Sequence, residues 1–145
     1  MTSGFTAHSI QFPDGSRTMP DLDHLLADLP WCKSAKRALR LIYPDHIRGK
    51  RIADLGCLEG GYALEFARMG MDALGIEVRQ SNYDNCLIVK ERAGLPNLNF
   101  VKDDAWKVAE HGPFDVIYCC GILYHLDRPR EFVNLSVRPG TDRLI

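Results

Sequence analysis

Asp54-Leu55-Gly56-Cys57-Leu58-Glu59-Gly60-Gly61 is the stretch that decides the fold. Before the turn, Arg51 to Leu55 reads as a short apolar strand. After it, Tyr62 to Met69 reads as a helix closed by Gly70. Glycines between a strand and a helix let the backbone pass close to a ligand, and the helix start presents unpaired N–H groups. The strand ends on an acid, Asp54. A carboxylate there repels a pyrophosphate and favours a cationic amino-acid group.

Downstream the alternation continues. Ala73 to Glu77 reads as a strand and Ser81 to Ala93 as a helix stopped by Gly94 and Pro96. Leu98 to Lys102 reads as a third strand, Asp115 to Gly121 as a fourth, and Pro129 to Val137 as a helix. Mostly apolar strands joined by crossover helices imply an α/β fold. Its expected form is a Rossmann-like, doubly wound parallel sheet with helices on both faces. Upstream, Asp14-Gly15 marks a turn in an irregular arm, with a short hairpin as one form it can take. Asp21 to Leu29 has the leucine spacing of a short helix, and Lys33 to Ile42 that of a second. Lys33, Lys36, Arg37 and Arg40 line the outer side of the second, either as a solvated face or as a contact for an anionic acceptor such as RNA.

The turn resembles motif I of class I S-adenosylmethionine (SAM)-dependent methyltransferases. The resemblance implies that Gly56, Cys57 and Gly60 shape the bed of the methionine moiety. It also implies that Asp54 positions the methionyl amino group, directly or through water. The middle glycine of the family's acid-x-Gly-x-Gly-x-Gly form is Leu58 here. Glu77 stands 23 residues after Asp54, where an acid accepts from two ribose hydroxyls. Phe100 to Ala105 is similar to the segment that holds adenine, through a carboxylate on Asp104 or Asp103 and a neighbouring backbone N–H such as that of Ala105. Either acid can equally cap a helix. Phe114 to Leu126 resembles the motif IV region in its "GILYHL" form. Cys120 and Gly121 are then expected near the sulfonium. Tyr124 is expected at the acceptor and His125 as general base, with a helix-capping role for His125 as the alternative. The wording resembles that of tRNA wobble-uridine carboxymethyltransferases as well as small-molecule O-methyltransferases.

The family sheet has seven strands, ordered 3-2-1-4-5-7-6. Val137 to Ile145 resembles the approach to strand five. The expectation is therefore strands 3-2-1-4 with a stub of strand 5, incomplete at the C-terminus. Residues 1–47 form an arm with helices and 48–145 the SAM-binding core. Such a chain keeps the cofactor residues, leaves the acceptor pocket incomplete and exposes the strand-four edge to self-association.

The remaining composition narrows the function. The chain has 145 residues, one domain's worth, with a net charge of -1. That charge gives no support to nonspecific nucleic-acid binding. A small-molecule acceptor, methylated on O or N, is thus preferred over RNA. The cysteines are Cys32, Cys57, Cys86, Cys119 and Cys120, with no Cys-x-x-Cys pair, and the histidines are scattered. No metal site is expected. Without a signal peptide or membrane-length run, the cytoplasm is the default. Two other classes compete. A NAD(P)-dependent oxidoreductase predicts Gly-x-Gly-x-x-Gly where Gly56-Cys57-Leu58-Glu59-Gly60-Gly61 stands. A non-catalytic interaction module predicts SAM binding without transfer.

Overall fold

The computed structural model describes residues 4–137 and 143–145. The arm carries one antiparallel bridge, Gln11 to Arg17, across the Asp14-Gly15 turn. A 3-10 turn, Leu26–Asp28, leads into helix α1, Pro30–Ile42. Then come β1 Arg51–Leu55, α2 Gly61–Arg68, β2 Asp72–Glu77, α3 Gln80–Ala93 and β3 Leu98–Lys102. A 3-10 turn, Ala105–Lys107, runs into α4, Val108–His111. The chain continues through β4 Val116–Tyr118, a 3-10 turn Leu123–His125, α5 Pro129–Ser136 and β5 Arg143–Leu144.

The five strands form one parallel sheet in the order β3-β2-β1-β4-β5. Successive strand residues face opposite sides, so each strand feeds two cores. Ile52, Ala73, Val116 and Tyr118 pack with α1, α2 and α3 through Leu39, Phe66 and Val89. Ala53, Leu55, Ile76 and Ile117 pack on the other face with Val108 of α4 and Phe132 of α5. Asp54 has the parity of Ile52 and therefore turns toward the α2 side. Phe5, Ile10 and Phe12 of the arm join that first core.

Two expected elements differ. The helix over Asp21 to Leu29 is only the turn at 26–28. Leu26 N–H donates to the arm's Ser9 carbonyl at 2.8 Å, and Leu29 is extended with ψ 140°. Pairing with the arm and the steric demand of Pro30 on its predecessor outweigh the leucine spacing. Pro30 itself sits in the first turn of α1, starting that helix before Lys33. Strand four stops at Tyr118 instead of reaching Gly121. The two-residue β5 gives it little to pair with, and Gly121 turns the chain with φ 82°.

β5 occupies the outer edge of β4. Ile145 N–H donates to Ile117 carbonyl at 2.8 Å and Cys119 N–H to Ile145 carbonyl at 2.7 Å. Among the described residues, the unpaired edge on this side is therefore that of β5. Residues 138–142 of the expected approach to strand five lie outside the described residues. Among those residues no helix is long and apolar enough to cross a membrane, and no cluster of His, Cys, Asp and Glu is arranged to hold a metal.

Candidate cofactor site

Parallel strands end together, and the loops beyond their carboxyl ends enclose a crevice. Here that crevice is a cavity of about 360 Å³, inside the usual range of about 300–1,000 Å³ for small-molecule sites. Gly56 and Leu58 line it from the turn after β1, and Ile76, Glu77, Val78 and Arg79 from the end of β2. Asp103, Asp104, Ala105 and Trp106 supply the side beyond β3. Gly121, Ile122, His125 and Leu126 supply the side beyond β4, and Asn82 comes from α3.

Glu77 is buried at 5% exposure. One carboxylate oxygen accepts from Leu58 N–H at 2.9 Å and the other from Arg79 N–H at 2.8 Å. An ionised carboxylate has about four acceptor sites, so two remain for a ligand. The two aspartates divide. Asp103 accepts from His111 Nε2 at 2.8 Å and from Asp104 N–H at 2.8 Å, and pairs with Lys107 at 3.3 Å. These bonds, His111's first, hold its carboxyl below the usual range. Asp104 uses one oxygen to accept from Trp106 N–H at 3.0 Å, capping the 3-10 turn. Its other oxygen accepts no hydrogen bond from the described residues.

Leu58 stands where the family pattern has glycine, and its φ is +55°. The turn thus keeps the glycine conformation with a leucine in it. A side chain in that region clashes with its own backbone. Leu58→Gly is therefore expected to be more stable than Leu58→Ala by about 1 kcal/mol, reversing the usual order of the two residues. Thermal melts of the two variants check this. Gly60 also has positive φ, +80°, and a Cβ there would meet the Phe100 ring at 2.6 Å. The same ring leaves no room for a Cβ on Gly75, at 2.5 Å.

Asp54 is 4% exposed, and its Oδ2 is a buried oxygen without a hydrogen-bond partner. Burial pushes its pKa up to about 7. The Ala63 backbone N–H works against that rise, and the nearby Glu77 charge adds to it. A buried acid with one orphaned oxygen suits an incoming cation. Asp54, Cys57 and Gly60 do not line the cavity, and neither do Cys120 and Tyr124. Cys57 packs inward, with its sulfur 3.7 Å from that of Cys86. Cys120 is exposed. Tyr124 is 78% exposed, its ring 4.3 Å from that of His125.

Sequence reading missed the arm's grip on the turn. Glu59 is 1% exposed. Its carboxylate accepts from the N–H groups of Thr6 at 2.7 Å, Ala7 at 3.1 Å and His8 at 2.7 Å. His8 Nδ1 in turn accepts from Gly61 N–H, at the start of α2, at 3.0 Å. Burial drives the His8 pKa down to about 4, against the pull of Glu59, so the ring is the neutral acceptor this bond needs. A buried acid among glycines was a signal, but its partners lie 51 to 53 residues away. Val78, Trp106, Ile122 and Leu126 were missed as well. For Val78 and Trp106, their place just after the strand-end acids was the available sign.

A family model described as "Methyltransferase domain" matches residues 52–137. The tRNA U34 carboxymethyltransferase of Desulfotalea psychrophila is 35% identical over 123 residues, covering 78% of this chain and 37% of that protein. The ubiquinone biosynthesis O-methyltransferase of Albidiferax ferrireducens is 29% identical over 110 residues, covering 70% of this chain and 44% of that protein. This chain thus spans less than half the length of these relatives. The N-terminal domain of EvdMO1, crystallised in the presence of SAH and D-fucose, superposes with a TM-score of 0.70 at 30% identity. That match covers 90% of this chain and 53% of the other. With the sheet order in place and the family model matching more than half of its residues, this chain belongs to the class I SAM-dependent methyltransferases.

Proposed function

We propose that this chain binds SAM in the cavity and transfers its methyl group to an oxygen or nitrogen of an acceptor. One observation carries the reading. Glu77 and the Asp104–Ala105 loop face a single cavity, one turn away from the orphaned Asp54. Glu77 accepts from the ribose hydroxyls with its two remaining lone pairs. Asp104, with an oxygen to spare, takes the adenine amine, and Ala105 N–H donates to the ring. Asp103 holds the loop, bound to His111 and Lys107. Asp54 meets the methionyl ammonium.

SAM supplies a methyl group already activated on a sulfonium sulfur. The protein's task is then to align the acceptor and remove its proton. His125 lines the cavity and is the general base of this reading, with Tyr124 beside it on the acceptor side. A small molecule is the favoured acceptor over RNA. Of the basic side chains on α1, Lys36 is tied to Glu65 at 2.6 Å and Lys33 lies 4.0 Å from Asp28, which reduces the charge on offer. The relatives named above include one enzyme named for tRNA and one for ubiquinone biosynthesis, so both acceptor classes belong in a screen. The five free thiols fit a reducing compartment, and we propose the cytosol.

Calorimetric titration with S-adenosylhomocysteine beside NAD tests the cofactor. Micromolar binding of the first and none of the second is expected. A folded sample that prefers NAD would return the chain to the oxidoreductase class. Binding without transfer to any acceptor, in a chain extended to the length of its relatives, would favour the interaction module.

A further inference from the structure

The glycine turn is gripped from two sides. On the cavity side, Glu77 holds Leu58 N–H. On the opposite side the arm holds the next residues: Glu59 receives the Thr6, Ala7 and His8 amides, and His8 Nδ1 receives Gly61 N–H. Asn85 of α3 adds its side-chain amide to Gly4 carbonyl at 3.0 Å and lies 3.5 Å from Glu59. Between the two grips sits Leu58, a non-glycine residue at φ +55°. A backbone in that region persists only where its surroundings over-determine it. Without the arm, Glu59 would keep only the long 3.5 Å bond from Asn85, and Gly61 N–H would lose its acceptor.

We propose that His8 and Glu59 are positioning residues of the cofactor site, through which the N-terminal arm holds the leucine-bearing turn in its ligand-binding shape. Neither residue lines the cavity. Both act through the turn. The inference rests on the SAM reading of the cavity, and it has a reciprocal consequence: a ligand that favours the same turn shape favours the docked arm.

The test uses the full chain and S-adenosylhomocysteine as probe, with far-UV circular dichroism to establish folding. His8→Ala is expected to weaken binding about tenfold, the size of one lost buried hydrogen bond. His8→Asn should recover most of the loss, because its Oδ1 can stand where Nδ1 does. A structural role alone would not make the defect depend on residue 58. Here it should: in a Leu58→Gly background the same His8→Ala change is expected to cost about threefold or less, since glycine holds the turn shape unaided. Equal losses in the two backgrounds would overturn the inference. So would a folded His8→Ala chain that binds like wild type. Should His8→Ala fail to fold, hydrogen exchange of the wild type decides. The Thr6, Ala7 and His8 amides should exchange more slowly with ligand present, and unchanged exchange would overturn the inference. A wild-type chain that binds no S-adenosylhomocysteine brings down the cofactor reading and this inference together. Binding by wild type matched by His8→Ala brings down this inference alone.

Discussion

Glu77→Ala raises the dissociation constant for S-adenosylhomocysteine by about a hundredfold or more. The estimate comes from two lost hydrogen bonds to a charged acceptor, about 1.5–3 kcal/mol each. The side chain also shapes the site before any ligand arrives, because its two oxygens hold Leu58 N–H and Arg79 N–H. Alanine leaves both donors without their acceptor, so the unliganded chain should melt lower as well. Glu77→Gln separates the two roles. It keeps one oxygen and the shape of the side chain but loses the charge, and its binding should fall between the two. Calorimetry with paired melts reads both effects. A Glu77→Ala chain that binds as wild type would remove the ribose role.

Binding should strengthen by about tenfold for each pH unit from about 5 to 7 and then level off, because the ligand's ammonium selects ionised Asp54. The free protein holds the Asp54 proton up to about 7, while the ligand's amino group stays protonated across this range. Binding near pH 6 should therefore release close to one proton, measurable as a dependence of the heat on buffer. Asp54→Asn should bind weakly at every pH and release none.

The same group acts on the free protein with the opposite trend. The unfolded chain ionises Asp54 near 3.8 and the folded chain near 7, so its contribution is fully present below 3.8. It is lost as pH rises to 7, by about 4 kcal/mol. His8 has a folded pKa of about 4 against 6.5 unfolded, so stability rises with pH between those values, by about 3 kcal/mol. The two slopes nearly cancel in wild type from pH 4 to 6.5. Asp54→Asn should uncover the rise due to His8. A denaturation series in that variant that stays flat with pH would count against the buried neutral histidine.

Most of the sheet was legible because its strands are short apolar runs punctuated by glycine and acid. β3 was bounded at Leu98 and Lys102 by sequence alone, and the structure keeps those ends. Glu77 and the Asp103–Asp104 pair could be singled out because they end or follow strands, and strand ends meet at one place in this topology. The turn at Leu26–Asp28 was not legible. Its leucine spacing argued for a helix, and what prevents one is a bond to Ser9, seventeen residues earlier. Helix α4 is four residues long, too short to show a period. The grip of Glu59 on Thr6, Ala7 and His8 was hidden for a related reason: nothing local distinguishes backbone amides that will find a distant carboxylate. Asp103 and Asp104 are adjacent and chemically alike. Only the position of His111 and Lys107 separates the braced one from the one with an oxygen to spare.

The Phe100 ring lies against Gly60 in the turn and Gly75 in β2, and the Cys57 sulfur also comes close to Gly75, 2.7 Å from where a Cβ would stand. Three elements distant in sequence therefore share one fixed volume. A methyl group gained at position 75 has to be given up at position 100 or 57, and one gained at position 60 at position 100, over and above the strain of a side chain at φ +80°. Across descendants of this chain, these four positions should drift as one unit, with bulk passing between the turn and the sheet while its total stays constant.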